Sequence, residues 1–186
     1  MPLANAALDL LNSVYQPGPG QVVDDLGDDA WLAAFLARWT LPEPHGARDR
    51  ERLRALREDL RAVVDEVMRT REVSDDALRR LQAWLPPEKT QARLRCDPAG
   101  TLVLVEETAA PRPATAEVVR AFAGLLAGDG RLRLKVCQND DCLVTFFDES
   151  RNRSRRWCDP ADCGNVMKVR AFRRRQGAAG APGEAA

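Results

Sequence analysis

Four of the chain's five cysteines fall in one pattern: Cys137-x4-Cys142, fifteen residues, then Cys158-x4-Cys163. Two short pairs separated by about 15–20 residues are the sequence form of a structural zinc site. Each pair can turn the chain tightly enough to aim two thiolates at one ion, and the intervening segment has room for a hairpin that brings the second pair back. Zinc accepts four sulfurs tetrahedrally and keeps no open position, so the pattern points to a structural ion rather than a catalytic one. Two disulfides would need an oxidising compartment. The N-terminus, MPLANAALDLLNSVYQ, makes a poor export signal, with no early basic residue and Asp9 inside its apolar run. Four unrelated thiols would not fall at two equal spacings. The expectation is one Zn²⁺ on Cys137, Cys142, Cys158 and Cys163 in a cytoplasmic protein. Cys96 reads as a small strand residue ahead of the turn Asp97-Pro98-Ala99-Gly100.

The remainder of the chain decides how much depends on that metal. With 186 residues it is long enough for one compact domain plus a small module. Gly128-Asp129-Gly130 is the clearest boundary, which separates a domain over 1–130 from a cysteine module over 131–176 and a small-residue tail, 177–186, read as disordered. About 45 residues bury too little to be secure alone. A structural zinc contributes on the order of 10–16 kcal/mol of apparent binding energy that couples to folding. Chelation is therefore expected to unfold 131–176 and leave the preceding domain largely folded.

Basic and acidic residues both number 28, for a formal charge of zero. The zero hides a segregation. Residues 1–130 hold 16 basic and 21 acidic side chains, net −5, and residues 131–176 hold 12 and 6, net +6. Screening decays over about 8 Å, so two such modules present separate fields to their surroundings. Four thiolates and one Zn²⁺ add −2, bringing the metal-loaded module nearer +4. No apolar run approaches the roughly 18 residues of a membrane span.

The periodicity predicts an α+β fold, mostly helical before residue 130, with one small β-hairpin. Leu3, Ala7, Leu10, Leu11 and Val14 mark a first helix over 3–14, broken by Gln16-Pro17-Gly18-Pro19-Gly20. Asp28 is placed to cap a second helix carrying Trp31, Leu32, Phe35, Leu36 and Trp39. A long helix over 47–70 shows the stripe Leu53, Leu56, Leu60, Val63, Val64, Val67, with interleaved charges on what reads as its solvated face. Ser74 caps a fourth helix containing Leu78, Leu81, Trp84 and Leu85. Residues 91–96 and 101–107 alternate as a hairpin, and Thr115 opens a helix to about Ala127. Beyond the boundary come a strand at 132–136, a strand at 143–147 and a helix over 165–176. Strand, metal turn, strand, loop, metal turn and helix make a treble-clef-like zinc finger with four cysteine ligands, a hairpin plus a helix.

The loop between the cysteine pairs holds Arg151, Arg153, Arg155 and Arg156 within six residues, interleaved with Asn152 and Ser154. The last helix adds Lys168, Arg170, Arg173, Arg174 and Arg175. Arginine forks match phosphates and guanine edges, so these residues are candidate nucleic-acid contacts. One or two of the arginines are expected to balance the thiolates instead. Asp148 and Glu149 are placed to pair others. Trp157 and Phe147 read as a miniature core against the metal.

These residues resemble a known family. Cys137-x4-Cys142 with Asp141 before the second cysteine, Phe147-Asp148-x-Ser150-Arg151-Asn152-x-Ser154-Arg155-Arg156-Trp157-Cys158, and Cys163-Gly164-Asn165 with Lys168 follow the signature of the CGNR zinc finger. Upstream, Leu8-Asp9-Leu10-Leu11-Asn12-Ser13 and Asp24-Asp25-Leu26 before a Trp-containing helix resemble the ABATE domain that accompanies that finger. The resemblance implies a stress-induced bacterial transcription regulator whose finger binds DNA. One position departs: Val166 stands where the family has the arginine of its name.

The function implied is DNA binding through the finger, with the N-terminal domain serving sensing of a small-molecule effector or formation of a homodimer. The competing reading makes the finger a scaffold for a ligand- or protein-binding module with a pocket or interface at Trp31, Trp39 and Trp84. Catalysis is not expected. The sequence has no phosphate-binding glycine loop and no Ser/His/Asp pattern, and its one histidine, His45, lies between Pro44 and Gly46. Asp9, Asp24, Asp25, Asp28 and Asp29 fall at a helix start and turns, where aspartate caps helices and solvates loops.

Overall fold

A computed structural model describes residues 5–18, 20–42, 47–87, 90–96, 98–108 and 112–179. Leu3, His45, Asp97 and the segment 180–186 lie outside the described residues. The N-terminal part contains helices α1 (Ala6–Leu11), α2 (Asp29–Trp39), α3 (Ala47–Thr70), α4 (Asp75–Gln82) and α5 (Ala114–Leu126), with hairpins β1 (Val14–Gly18)–β2 (Gln21–Asp24) and β3 (Thr90–Cys96)–β4 (Leu102–Thr108). The finger follows as β5 (Leu134–Val136), β6 (Thr145–Phe147) and α6 (Cys163–Ala179). Each pair of strands is an antiparallel two-stranded sheet. The α+β fold, a mainly helical domain followed by a hairpin-plus-helix cysteine finger, is the one the periodicity predicts.

Several helix starts are set by the expected side chains. Asp28 accepts from the Ala30 amide at 2.8 Å and Ser74 from the Ala77 amide at 3.2 Å. The Asn5 side chain caps α1 in the same way. Helix α5 differs: Pro113 takes the cap position, and the Thr115 hydroxyl is buried inside the first turn without a hydrogen-bond partner. Helix α6 continues to Ala179, three residues past the expected end.

The first helix is the main discrepancy. It stops at Leu11, and Val14 becomes a strand residue opposite Asp24. Gln16, Pro17 and Gly18 extend β1 of a two-stranded ribbon, with an irregular register between Tyr15 and Gly18, and Gly20 precedes β2 at φ +73°. Tertiary contacts cause the early stop. Ser13 folds its hydroxyl back onto the Leu10 carbonyl at 2.7 Å, and the Asn12 amide leaves the helix to pair with β6.

The core is built on the α3 stripe: Leu53, Leu56, Leu60, Val63, Val64 and Val67 are all buried. Around it pack Leu10 and Leu11 of α1, Phe35 of α2, Leu81 of α4 and Phe122 of α5. Leu134, from the finger's β5, is fully buried in this same cluster, and Val136 and Phe147 pack against it. Phe147 thus belongs to the shared core rather than to a miniature core around the metal. The hairpin β3–β4, by contrast, leaves Leu94, Leu102 and Leu104 exposed.

Polar contacts reinforce the shared core. Asn12 Nδ2 donates to the Thr145 carbonyl and Asn12 Oδ1 accepts from the Thr145 amide, both at 2.8 Å, so one side chain caps the edge of β6 as a strand residue would. Arg61 donates to the Thr145 hydroxyl and to the Leu143 and Leu11 carbonyls. At the boundary, a Cβ on Gly130 would lie 1.8 Å from the Leu125 carbonyl oxygen, which explains glycine there. The finger and the domain before it are one packed body, and the expectation that they unfold separately needs revising.

The revision is testable. Leu134→Ala removes a buried side chain shared by both parts, so it should cost about 2–5 kcal/mol. Urea unfolding followed by the tryptophans of α2 and by a reporter on α6 should shift in parallel. Loss of the α6 signal alone would contradict the shared core.

Candidate metal centre and basic surface

The hairpin β5–β6 brings the first cysteine pair to its open end. Cys137 follows β5 directly, and its amide donates to the Val144 carbonyl at 2.9 Å. The turn is closed by the Cys142 amide on the Asn139 carbonyl at 2.8 Å. The second pair lies at the start of α6: Cys158 precedes an Asp159-capped turn, and Cys163 is the first residue of the helix. All four sulfurs fall within 4.8 Å of one another. Cys142 and Cys158 are 3.8 Å apart, Cys158 and Cys163 3.7 Å. Zn–S bonds of about 2.3 Å arranged tetrahedrally place sulfurs about 3.8 Å apart. A disulfide, at about 2.05 Å, does not match those spacings. Cys137, Cys142, Cys158 and Cys163 form a zinc-binding site, and Cys96, exposed at the end of β3, is no part of it.

The surroundings of the sulfurs treat the thiols differently. Burial, then the neighbouring Cys137, pushes the Cys142 thiol up to about 11, even though the Val144 amide favours its thiolate. Cys158 is raised further, by burial and by Cys142 and Cys137. Cys137 is buried too, but amide donation from Cys158 and Asn139 outweighs that and lowers its pKa. Four thiolates this close cannot coexist at neutral pH without Zn²⁺ among them. Donors to sulfur are already in place: the Cys158 amide to Cys137 Sγ and Asn139 Nδ2 to Cys163 Sγ, each at 3.5 Å.

The arginine loop is organised by Asp148, which is completely buried. Its carboxylate accepts from Lys135 Nζ at 2.7 Å and from the Ser150 and Arg155 amides at 2.9 Å each. Burial opposes its charge, but these donors hold its pKa well below the usual carboxylate range. Lys135 also donates to the Arg153 and Arg155 carbonyls, so one largely buried ion pair sets the path of the loop. The partner of Asp148 is therefore a strand lysine, not an arginine of the loop.

The nine candidate nucleic-acid contacts divide into two groups. Arg153 pairs with Asp129 at 2.8 Å. Arg155 donates to the Cys158 carbonyl and lies over the Phe146 ring, 5.1 Å from its centroid. Arg170 pairs with Asp141 and donates to Asn139 Oδ1, holding α6 to the first cysteine turn. Arg156 is exposed, with its Nε on Gln138 Oε1 and its guanidinium over Trp157. Arg153, Arg155 and Arg170 are thus engaged within the molecule, through carboxylates, amide and carbonyl oxygens and a ring rather than through the thiolates they were expected to balance. Arg151, Asn152, Lys168, Arg173 and Arg174, together with Arg175, are exposed on the loop and on α6. Val166, Val169 and Phe172 are exposed on the same helix.

Four of the five aspartates singled out in the N-terminal part, Asp9, Asp24, Asp28 and Asp29, are occupied structurally. Asp9 accepts from Trp39 Nε1 at 2.9 Å and pairs with Arg38, Asp29 pairs with Arg50, and Asp28 caps α2. Asp24 accepts both ends of the Arg57 guanidinium, at 2.7 and 2.8 Å, and this pairing lowers its pKa. Among the described residues, only the four finger cysteines form a group able to hold a metal. Arg57 is itself buried, against the reading of that face of α3 as solvated. A signal was present: Arg57 follows Leu56 as Val64 follows Val63, so it falls on the apolar stripe. Trp31 stacks on Phe35, Trp84 bonds Asp59, and none of Trp31, Trp39 and Trp84 lines the cleft between α3 and the finger.

Metal analysis should find one zinc per chain, and Cys142→Ser or Cys158→Ser should abolish it. Asp148 has a folded pKa below its unfolded value. Its contribution to stability is therefore complete above about pH 4 and falls away as pH drops further. Asp148→Asn leaves Lys135 largely buried without a counter-charge and should cost about 3–5 kcal/mol at pH 7. The same substitution should flatten the acid limb of a stability–pH curve; an unchanged curve would remove Asp148 from this role.

The comparisons with known proteins agree with this geometry. The CGNR zinc finger model matches residues 133–176. The ABATE model, described as "Putative stress-induced transcription regulator", matches residues 4–129. No curated protein matches the chain. No helix among the described residues is long and apolar enough to cross a membrane. With its larger part matched by one model and its finger by the other, the chain belongs to the ABATE family and carries a CGNR zinc finger.

Proposed function

We propose that this protein is a DNA-binding transcription regulator whose finger meets the duplex through α6 and the exposed part of the arginine loop. The observation that carries the reading is a set of exposed cations: Arg151 in the loop, and Lys168, Arg173, Arg174 and Arg175 on α6. Their forks and ammonium suit phosphates. The exposed Val166, Val169 and Phe172 between them suit thymine methyl groups in a major groove. In this reading Val166 exchanges a charged base or phosphate contact for an apolar one. The domain before the finger, net −5, limits indiscriminate attraction to nucleic acid. That domain serves sensing or dimerisation, and the protein has no catalytic role.

The scaffold alternative has one observation in its favour, the inward engagement of Arg153, Arg155 and Arg170. The two readings separate in a duplex titration followed by anisotropy at several salt concentrations. About five phosphate contacts give a slope of about −4 to −5 in log affinity against log salt. Replacing Arg173 and Arg174 with alanine should reduce the slope by about 2 without loss of zinc. Absence of salt-dependent duplex binding would overturn the proposal in favour of the scaffold.

A further inference from the structure

Between α3 and the finger lies a cleft of about 280 Å³ lined by Val14, Arg57, Glu58, Arg61, Asp65, Val136 and Leu143. Its walls come from β1, α3, β5 and the segment entering β6, so both parts of the molecule build it. The two arginines in it are in different electrical states. Arg57 is neutralised by the two-pronged pair with Asp24 and also donates to Ser13. Arg61 has no carboxylate within 4.0 Å among the described residues, and its acceptors are two carbonyls and a hydroxyl. A guanidinium carries five N–H donors. Three of those on Arg61 are used, and the two that remain include Nε–H. Burial lowers the pKa of Arg61 from the ordinary arginine value, against the opposite pull of Asp65 and Glu58. Those two acids also line the cleft, and they are exposed, so solvent screens part of their charge.

A partly desolvated cation with an unused fork, beside three apolar side chains, is an arrangement that accepts a small anion with an apolar body. We propose that this cleft binds a small organic carboxylate, with its oxygens on the free edge of Arg61 and its apolar portion against Val14, Val136 and Leu143. The remaining donors of Arg61 hold Leu11 of α1 and Leu143 and Thr145 of the finger. A bound carboxylate fixes that guanidinium and so reinforces the attachment of the finger to the N-terminal core. Binding at this cleft is independent of whether the finger binds DNA.

The test uses the zinc-loaded full chain, with benzoate as the probe and neutral benzamide as its control. Benzoate should shift the Arg61 Nε–H resonance saturably and raise the melting temperature, and benzamide should do neither. Arg61→Lys keeps the charge but loses the fork, and should weaken binding at least tenfold. Leu143→Trp fills the cleft with Arg61 intact and should abolish binding, which keeps the test decisive if the arginine variant fails to fold. Equal responses to benzoate and benzamide, an unsaturable shift, unchanged binding in Leu143→Trp, or a response to inorganic phosphate but not to benzoate would each overturn the assignment.

Discussion

The pairing of the Asn12 amide with the backbone of Thr145 joins the two parts of this molecule. Both of its hydrogen bonds are 2.8 Å long, and together they satisfy the donor and acceptor that the edge of β6 would otherwise expose. They set β6 in place, and β6 holds β5 in register through Leu134–Phe147. With the register set, Leu134 enters the core, Cys137 emerges at the end of β5, and Lys135 reaches Asp148. The hairpin that carries the zinc ligands is also a wall of the N-terminal core. Free energy gained at the metal therefore reaches α1 and α3 through one strand pair.

The charges follow the same division. Opposite signs on the two parts would, alone, describe an acidic body with a basic appendage. Much of the finger's positive charge serves internal geometry instead: Lys135 on Asp148, Arg153 on Asp129, Arg155 over Phe146, Arg170 on Asp141. What reaches solvent is concentrated at Arg151 and Arg156 and on α6. The count of basic residues overstates the surface available to a partner, and the location of the exposed ones matters more than the net value.

The zinc ligands were legible because metal geometry constrains spacing directly. Cys-x4-Cys twice, at the right separation, has few other uses. The α3 stripe and the Asp28 and Ser74 caps were legible for a similar reason, since each depends on neighbours within a turn or two. The end of α1 was not. Leu10, Leu11 and Val14 fit one helical face, and only a partner 133 residues away draws Asn12 out of it. The β1–β2 ribbon was hidden by the prolines and glycines of its sequence, which read as a plain break. In the arginine loop the residue types were visible, but which guanidinium turns inward depends on the path imposed by the Asp148–Lys135 pair. Ser-Arg-Asn-x-Ser-Arg-Arg suggests one continuous binding surface, whereas the fold separates Arg155 from Arg151.

Arg57 and Arg61 show how far one turn of helix can separate two roles. Both belong to the charged sequence of α3, four residues apart and on the same side. Arg57 finds a carboxylate, Asp24, from the ribbon that sequence periodicity overlooks, and becomes a neutralised structural pair. Among the described residues Arg61 finds only carbonyl and hydroxyl oxygens, most of them at the edge of the finger. A charge with no carboxylate in direct contact keeps an attraction for an anion, and here it does so where the two parts of the molecule meet. The contact that attaches the finger is thus the same contact that retains unused binding capacity. On the proposed ligand reading, no long-range rearrangement is needed to connect a small ligand with the finger, because Arg61 already touches both α1 and the finger.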